Sequence, residues 1–218
     1  DIESNMSTGI SEPRGRLRVD LPAAFGRRHI APMLIDLSKQ FSQLDLTLTF
    51  GERTIDMIGE GVDLAVRIGD LHNDPELVAR KLGQARMLAV ASPAYLAQYG
   101  HPGHPSELAQ HHCLGYSAKT TNRPLVFAID GVPQPWHLPY RLQANNGDAL
   151  AEAAAQGLGI ACQPDFIAGS FIAAGRVVEI LVDYPGPELG IYAMLPSNRH
   201  IPHRVRVLMD FLAARLAP

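Results

Sequence analysis

Cysteine is scarce in this 218-residue sequence: Cys113 and Cys162 are the only two. A disulfide scaffold needs more, so two buried free thiols are the plainer expectation, with a single bridge between them still compatible with the sequence. No apolar run approaches the ~18–20 residues that a membrane span requires, and no membrane partner is expected. The opening stretch DIESNMSTGISEP is polar and holds no apolar segment of the signal-peptide kind. Positive charge is not in surplus: 19 Lys and Arg face 22 Asp and Glu, for a formal net charge of -3, and the isoelectric point is about 6.3. A domain whose own surface grips phosphates is usually basic. The chain by itself is therefore not expected to bind DNA.

Catalytic signatures are missing as well. There is no G-x-S-x-G elbow, no P-loop and no H-E-x-x-H helix. The run GLGIAC at 157–162 contains G-x-G, but it follows a helix-like segment, whereas a dinucleotide fingerprint must follow a strand and open a helix. His101, His104, His111, His112 and Cys113 crowd one stretch, yet no C-x-x-C accompanies them and the segment is rich in Pro and Gly. A polar loop with surface histidines is the better reading, and the His200/His203 pair is equally weak. No catalytic residue, metal or cofactor is expected.

What is present is an ordinary globular composition, 46% hydrophobic and 19% charged. Residues 16–21 (RLRVDL) alternate charged with apolar side chains, a strand signal. Ile30, Leu34, Leu37, Phe41 and Leu44 then recur at helical spacing, with Pro32 suited to the first turn. Residues 45–50 (DLTLTF) read as a strand, 54–60 as a short helix, and 63–68 and 86–91 as strands buried on both faces. This alternation predicts an α/β fold with a mostly parallel sheet. Beyond residue 91, Ser92-Pro93 opens a short helix, and short strands follow at 124–129, 132–139 and 141–143, with Asp130-Gly131 as a hairpin turn. Asn145-Asn146-Gly147 can cap an Ala-rich helix over 148–156. A strand follows to Gln163, then a helix over 166–174, strands at 176–181 and 189–195, and a last helix at 202–216 whose buried stripe is Val205, Leu208, Met209, Leu212 and Leu216. There is no internal repeat.

Four runs in order carry a family resemblance: GRLRVDLPAAFG leading into HIAP, EGVDLAVRIG at 60–69, ASPAYLAQYG at 91–100 and GLGIACQPDF at 157–166. Together they resemble the effector-binding domain of LysR-type transcriptional regulators over residues 14–216. The resemblance implies two Rossmann-like α/β lobes of the type 2 periplasmic-binding-protein fold, joined by two crossover strands. Lobe I would hold 14–91 with 190–218, and lobe II 92–189, with crossings near 91–93 and 190–195. Residues 1–13 would be the end of a linker, and the winged helix-turn-helix would lie before residue 1. The implied role is cytoplasmic: a homodimer or tetramer that binds a small effector and reaches DNA only through that absent head. A solute-binding protein of a transport system is the alternative on the same fold. The implied pairing surface takes in the helix around 30–41 and the edge strand 45–50.

In such sheets ligands sit beyond the carboxyl ends of the strands, where helices begin and free backbone N–H groups collect. The candidates are Ala24, Phe25 and Gly26 after the first strand, Glu52 and Arg53 after the second, and Arg67, Ile68 and Gly69 at the end of the third. Lobe II offers Asn145, Asn146, Gln163, Pro164 and Asp165. Arg67 is the candidate anion fork, against a structural pairing with Asp63 or Glu52, and Asn146 has a competing role as a helix cap. Many relatives carry a small hydroxyl residue near Phe25, so the ring here points to a more apolar or aromatic effector. An anionic or aromatic small molecule is the expected ligand. The arginines at 14, 16, 18, 27 and 28 read as solvated surface rather than a DNA patch.

Overall fold

The computed structural model describes residues 12–69, 76–117, 123–197 and 200–216. Most of the polar lead-in lies outside them. In chain order the elements are β1 (Gly15–Leu21), α1 (Ala23–Phe25), a π turn (Gly26–Ile30), α2 (Ala31–Gln40), β2 (Leu44–Phe50), β3 (Leu64–Ile68), β4 (Leu77–Ala91) and α3 (Pro93–Tyr99). A 3₁₀ turn (Pro105–Gln110) precedes β5 (Cys113–Tyr116), β6 (Leu125–Ile129), β7 (Val132–Trp136), β8 (Tyr140–Ala144), α4 (Gly147–Ala155), β9 (Ile160–Pro164) and α5 (Asp165–Ala173). The chain ends with β10 (Val178–Ile180), β11 (Glu188–Pro196) and α6 (His203–Leu216).

β1 pairs in parallel with β2 along its whole length and with β3 on its other edge. β11 lies antiparallel between β3 and β4. The decisive element is β4, a strand of 15 residues. Its first part, through Arg86, pairs with β11; from Met87 onward it takes β9 on one edge and β10 on the other. β5 then runs parallel to both β9 and β8. Two half-sheets thus share one long strand, and β11 returns the chain from the second to the first.

The cores divide in the same way. Leu17, Leu34, Leu64 and Val66 pack with Ile191 and Leu208 under α2 and α6. The second half-sheet is covered on both faces: Leu88, Leu114, Leu150, Ile167 and Phe171 on one side, and Tyr95, Leu108, Phe127 and Ile160 on the other. Leu82 and Ala85 belong to the first core while Leu88 and Val90 belong to the second. The change of partners therefore falls between Arg86 and Met87, a few residues before the crossing expected at 91–93.

One local expectation differs from what is seen, and two strand segments had no reading in the sequence. Residues 54–60 form turns, not a helix: the Asp56 carboxylate accepts the Gly59 N–H at 2.8 Å, a local side-chain bond that competes with helical pairing. The first half of β4, LVARKLGQAR, has no apolar run because much of it is exposed, and pairing with β11 rather than burial holds it. β5 is only four residues long and was too short to read as a strand. Local chemistry elsewhere follows the sequence: Ser92 caps α3 by accepting the Tyr95 N–H at 3.1 Å, and Asp130 (φ 50°) with Gly131 (φ 77°) makes the hairpin turn of β6 and β7.

Candidate functional site

The carboxyl ends of β1, β2 and β3 carry a network built on a buried acid. Asp20 is 5% exposed. It accepts the Thr49 hydroxyl at 2.5 Å and Arg67 Nη2 at 2.6 Å, and Arg67 Nη1 donates to the Val66 carbonyl at 2.8 Å. Arg67 is thus paired, and its partner is Asp20 rather than Asp63 or Glu52. Asp63 instead accepts the Arg18 backbone N–H at 2.9 Å. Asp20 escaped the sequence reading, although a single carboxylate at the carboxyl end of a strand whose other charges are arginines was the available signal.

Glu52 follows β2 and accepts the Ala23 N–H at 2.9 Å, so a carboxylate of the chain already occupies the start of α1. Desolvation by burial raises its pKa above the ordinary glutamate value, and nearby Asp20 adds to this; the Ala23 N–H and Arg67 oppose it. Arg53 turns away into an exposed pair with Glu60, at 2.7 and 2.5 Å. Ile68 and Gly69 sit beside β11, where the Gly69 N–H donates to the Gly190 carbonyl at 2.9 Å.

Across from these groups stand the ends of β5, β8 and β9. Burial pushes the Tyr116 phenol up to about 12, with the Glu52 carboxylate adding to the shift. Tyr116 on the second half-sheet and Glu52 on the first are therefore electrostatic neighbours. Asn146 caps α4, its side-chain oxygen accepting the Ala149 N–H at 3.0 Å; Asn145 beside it is exposed. Gln163 is 1% exposed, and its Oε1 has no hydrogen-bond partner among the described residues. Pro164 leads into α5, and Asp165 accepts the Arg86 N–H at 3.1 Å.

Ala24, Phe25 and Gly26 are buried, not exposed to a crevice. A Cβ on Gly26 would lie 2.5 Å from Leu21 Cβ, so this glycine exists for close packing. Ala24 joins the second core. Phe25 stacks on His29 with ring centroids 5.1 Å apart and meets Phe166 of α5 edge-on at 4.8 Å. The π turn continues the bridge: Arg28 Nη1 donates to Ser170 Oγ at 2.9 Å, Arg28 Nη2 pairs with Asp148, and Arg27 reaches the other Asp148 oxygen at 3.4 Å. Arg28 thus leaves the group read as solvated surface, whereas Arg27, 68% exposed, remains in it. Neither Tyr116 nor the Arg28 contact was legible beforehand, because each depends on what the other half-sheet places opposite.

Both cysteines are free, and burial raises Cys113 to about 11 and Cys162 to about 12. The described residues hold no cluster of His, Cys, Asp or Glu that could grip a metal, and none of their helices is long and apolar enough to cross a membrane.

Comparison with known proteins places this geometry. The LysR substrate binding domain model matches residues 11–217. An HTH-type transcriptional regulator of Xanthomonas campestris is 34% identical over 220 residues, covering 99% of this chain and 64% of that protein. The HTH-type regulator CrgA of Neisseria meningitidis is 32% identical over 215 residues, 98% of this chain and 71% of that protein. Among solved structures, the CrgA regulatory domain superposes with a TM-score of 0.81 at 32% identity, covering 94% of this chain and all of that one. The full-length Vibrio cholerae virulence activator AphB gives 0.80 at 27% identity, over 93% of this chain and 69% of that one. The chain therefore spans about two thirds of the length of such regulators. These relatives are regulators of transcription, and the transport reading finds no support among them.

Proposed function

The chain belongs to the LysR substrate-binding domain family, and from that premise we propose that it is the ligand-sensing part of a bacterial transcriptional regulator. It holds a small effector between two lobes and passes the result to a DNA-reading head carried elsewhere in the intact protein. We place the lobe boundary inside β4, at 86/87, with lobe I completed by residues 190–218 after β11 returns. The observation that carries the reading is that two half-sheets share β4, with Glu52 just beyond β2 in the first and Tyr116 at the end of β5 in the second. A ligand touching both favours one arrangement of the lobes over another, and only that difference in affinity can shift their equilibrium.

The contact pattern favours a change to the expected ligand. Arg67 is paired with Asp20, and Glu52 caps the start of α1, so among the described residues the first lobe offers no unpaired guanidinium at these strand ends. An effector with hydrogen-bond donors or an aromatic body suits Glu52 and Tyr116 better than a simple carboxylate. No enzymatic step is proposed. Self-association through α2 and β2 is part of the proposal: Ile35 and Phe50 are exposed there, and β2 forms the end of the sheet. The proposed location is the cytoplasm.

The test is a thermal-shift screen of amines, amino acids, small acids and aromatics against this chain. A ligand at 100 times its dissociation constant should add ~2.7 kcal/mol of stability. The shift should disappear in Tyr116→Ala and weaken in Glu52→Ala. A hit whose shift survives both changes does not sit between the lobes, and the reading fails.

A further inference from the structure

The two lobes touch each other directly, and the contact is built largely from charge. Arg28 lies in the π turn between α1 and α2. A π turn holds one residue more than an α turn, and each residue rotates roughly 100° about the axis. That insertion re-aims the side chains within the turn, here toward α4 and α5 of the other lobe. Arg28 Nη1 donates to Ser170 Oγ at 2.9 Å. The Ser170 hydroxyl donates in turn to the Ile167 carbonyl at 3.1 Å, which leaves its lone pairs for the guanidinium. Arg28 Nη2 pairs with Asp148 in the first turn of α4, a position where the helix dipole favours an anion. The side chains of Arg28 and Asp148 are 24% and 26% exposed, so water screens the pair only in part. Arg27 adds a weaker contact to the same carboxylate, and the Phe25–Phe166 edge contact lies one turn away.

We infer that Arg28 is a clasp that holds the two lobes together on the α1 side of the cleft, through Asp148 and Ser170. The inference rests on the two-lobed reading above and adds to it a contact that opposes separation of the lobes. An effector then meets a wall whose position the clasp has set, and its affinity includes the work of any lobe movement against that clasp. A charged latch suits this role better than an apolar one. It is directional, and it can re-form after opening without leaving a large apolar surface in water.

The test needs no effector. Spin labels at Val78→Cys in the first part of β4 and Val182→Cys beyond β10 sit at exposed positions in different lobes, while the native thiols are free and largely shielded. Pulsed dipolar spectroscopy on the parent should show one short distance distribution. Arg28→Ala should raise the ratio of long to short distances by roughly tenfold, the factor that corresponds to ~1.4 kcal/mol. The swapped pair Arg28→Asp with Asp148→Arg should restore the short distance. Asp148→Asn removes only charge and serves if Arg28→Ala folds poorly. A folded Arg28→Ala or Asp148→Asn protein with the parental distances overturns the clasp, even if its melting temperature falls. Failure of the swap to restore the distance overturns it too. A failed effector screen would leave this result standing, and a failed clasp would leave the cleft.

Discussion

Arg67→Ala is expected to destabilise the ligand-free protein by about 3 kcal/mol, because it strands the buried carboxylate of Asp20. The magnitude comes from the burial. The Asp20 side chain is 8% exposed and that of Arg67 is 22% exposed. Breaking a fully buried pair from one side costs roughly 3–5 kcal/mol, since the remaining charge stays unpaired. Without Arg67, Asp20 keeps only the Thr49 hydroxyl among the contacts described, while water can reach the vacated edge, which puts the value at the low end. For a chain of this size each kcal/mol lowers the melting temperature by roughly 2–4 °C. The fall should therefore be roughly 6–12 °C by calorimetry or circular dichroism. Asp20→Ala should behave alike, and the double variant should cost less than the sum of the two, a coupling of roughly 0.5–3 kcal/mol. If Arg67 were a free fork waiting for an anionic ligand, its removal would leave the ligand-free melting temperature within about 2 °C of the parent, less than 1 kcal/mol. That result would refute the pairing argument. Loss of a ligand response in Arg67→Ala must in either case be judged at matched stability.

Gly26→Ala should cost roughly 1–3 kcal/mol by overpacking against Leu21 and Phe50, read as a drop in the urea midpoint, and an unchanged midpoint would show that this turn is loosely packed. Cys113 and Cys162, raised to about 11 and about 12, should resist a thiol reagent at neutral pH in the native protein and release two equivalents on denaturation; rapid native labelling would contradict their burial. The Arg176 pair and the Gln156 amide hold Glu152 down at about 2, so its carboxyl carbon should titrate there by NMR and move back up toward 4.5 in Arg176→Ala. Because its folded value is lowered, the stabilisation is present above 4.5 and is lost as pH falls toward about 2. Glu52 has the opposite sign: its folded value is raised, so its contribution favours folding below 4.5 and is lost as pH rises through the folded value. Glu52→Gln should flatten the pH dependence of stability just above that point, and a profile parallel to the parent's would remove the assigned desolvation.

Much of the fold was legible because each half-buried element writes its own periodicity. The helical stripe through Ile30, Leu34 and Leu37 and the buried face of α6 sit where their spacing puts them, since the burial of a helix face follows from 3.6 residues per turn. Caps and turns were legible for a similar reason. Ser92, Asn146 and Asp130-Gly131 act on backbone groups within three residues, so the chemistry is contained in the local sequence. Even the wrong helix at 54–60 failed locally, through the hydrogen bond from Gly59 to Asp56.

The candidate site was legible only as a set of strand ends. Whether a residue there faces a ligand depends on what stands opposite, and that is set by elements far away in the chain. Arg67 finds Asp20 at a separation of 47 residues and Arg28 finds Asp148 at 120. No spacing rule reaches so far, because strand order and the shared strand β4 decide those neighbours. The sequence by itself determined most of the helices and strands and many of the strand ends, while the division into two α/β halves was implied by the family resemblance. The tertiary structure alone decided which charges would be neutralised at those ends and which would bridge the gap, since electrostatic pairing acts over a few ångströms of space and is blind to distance along the chain.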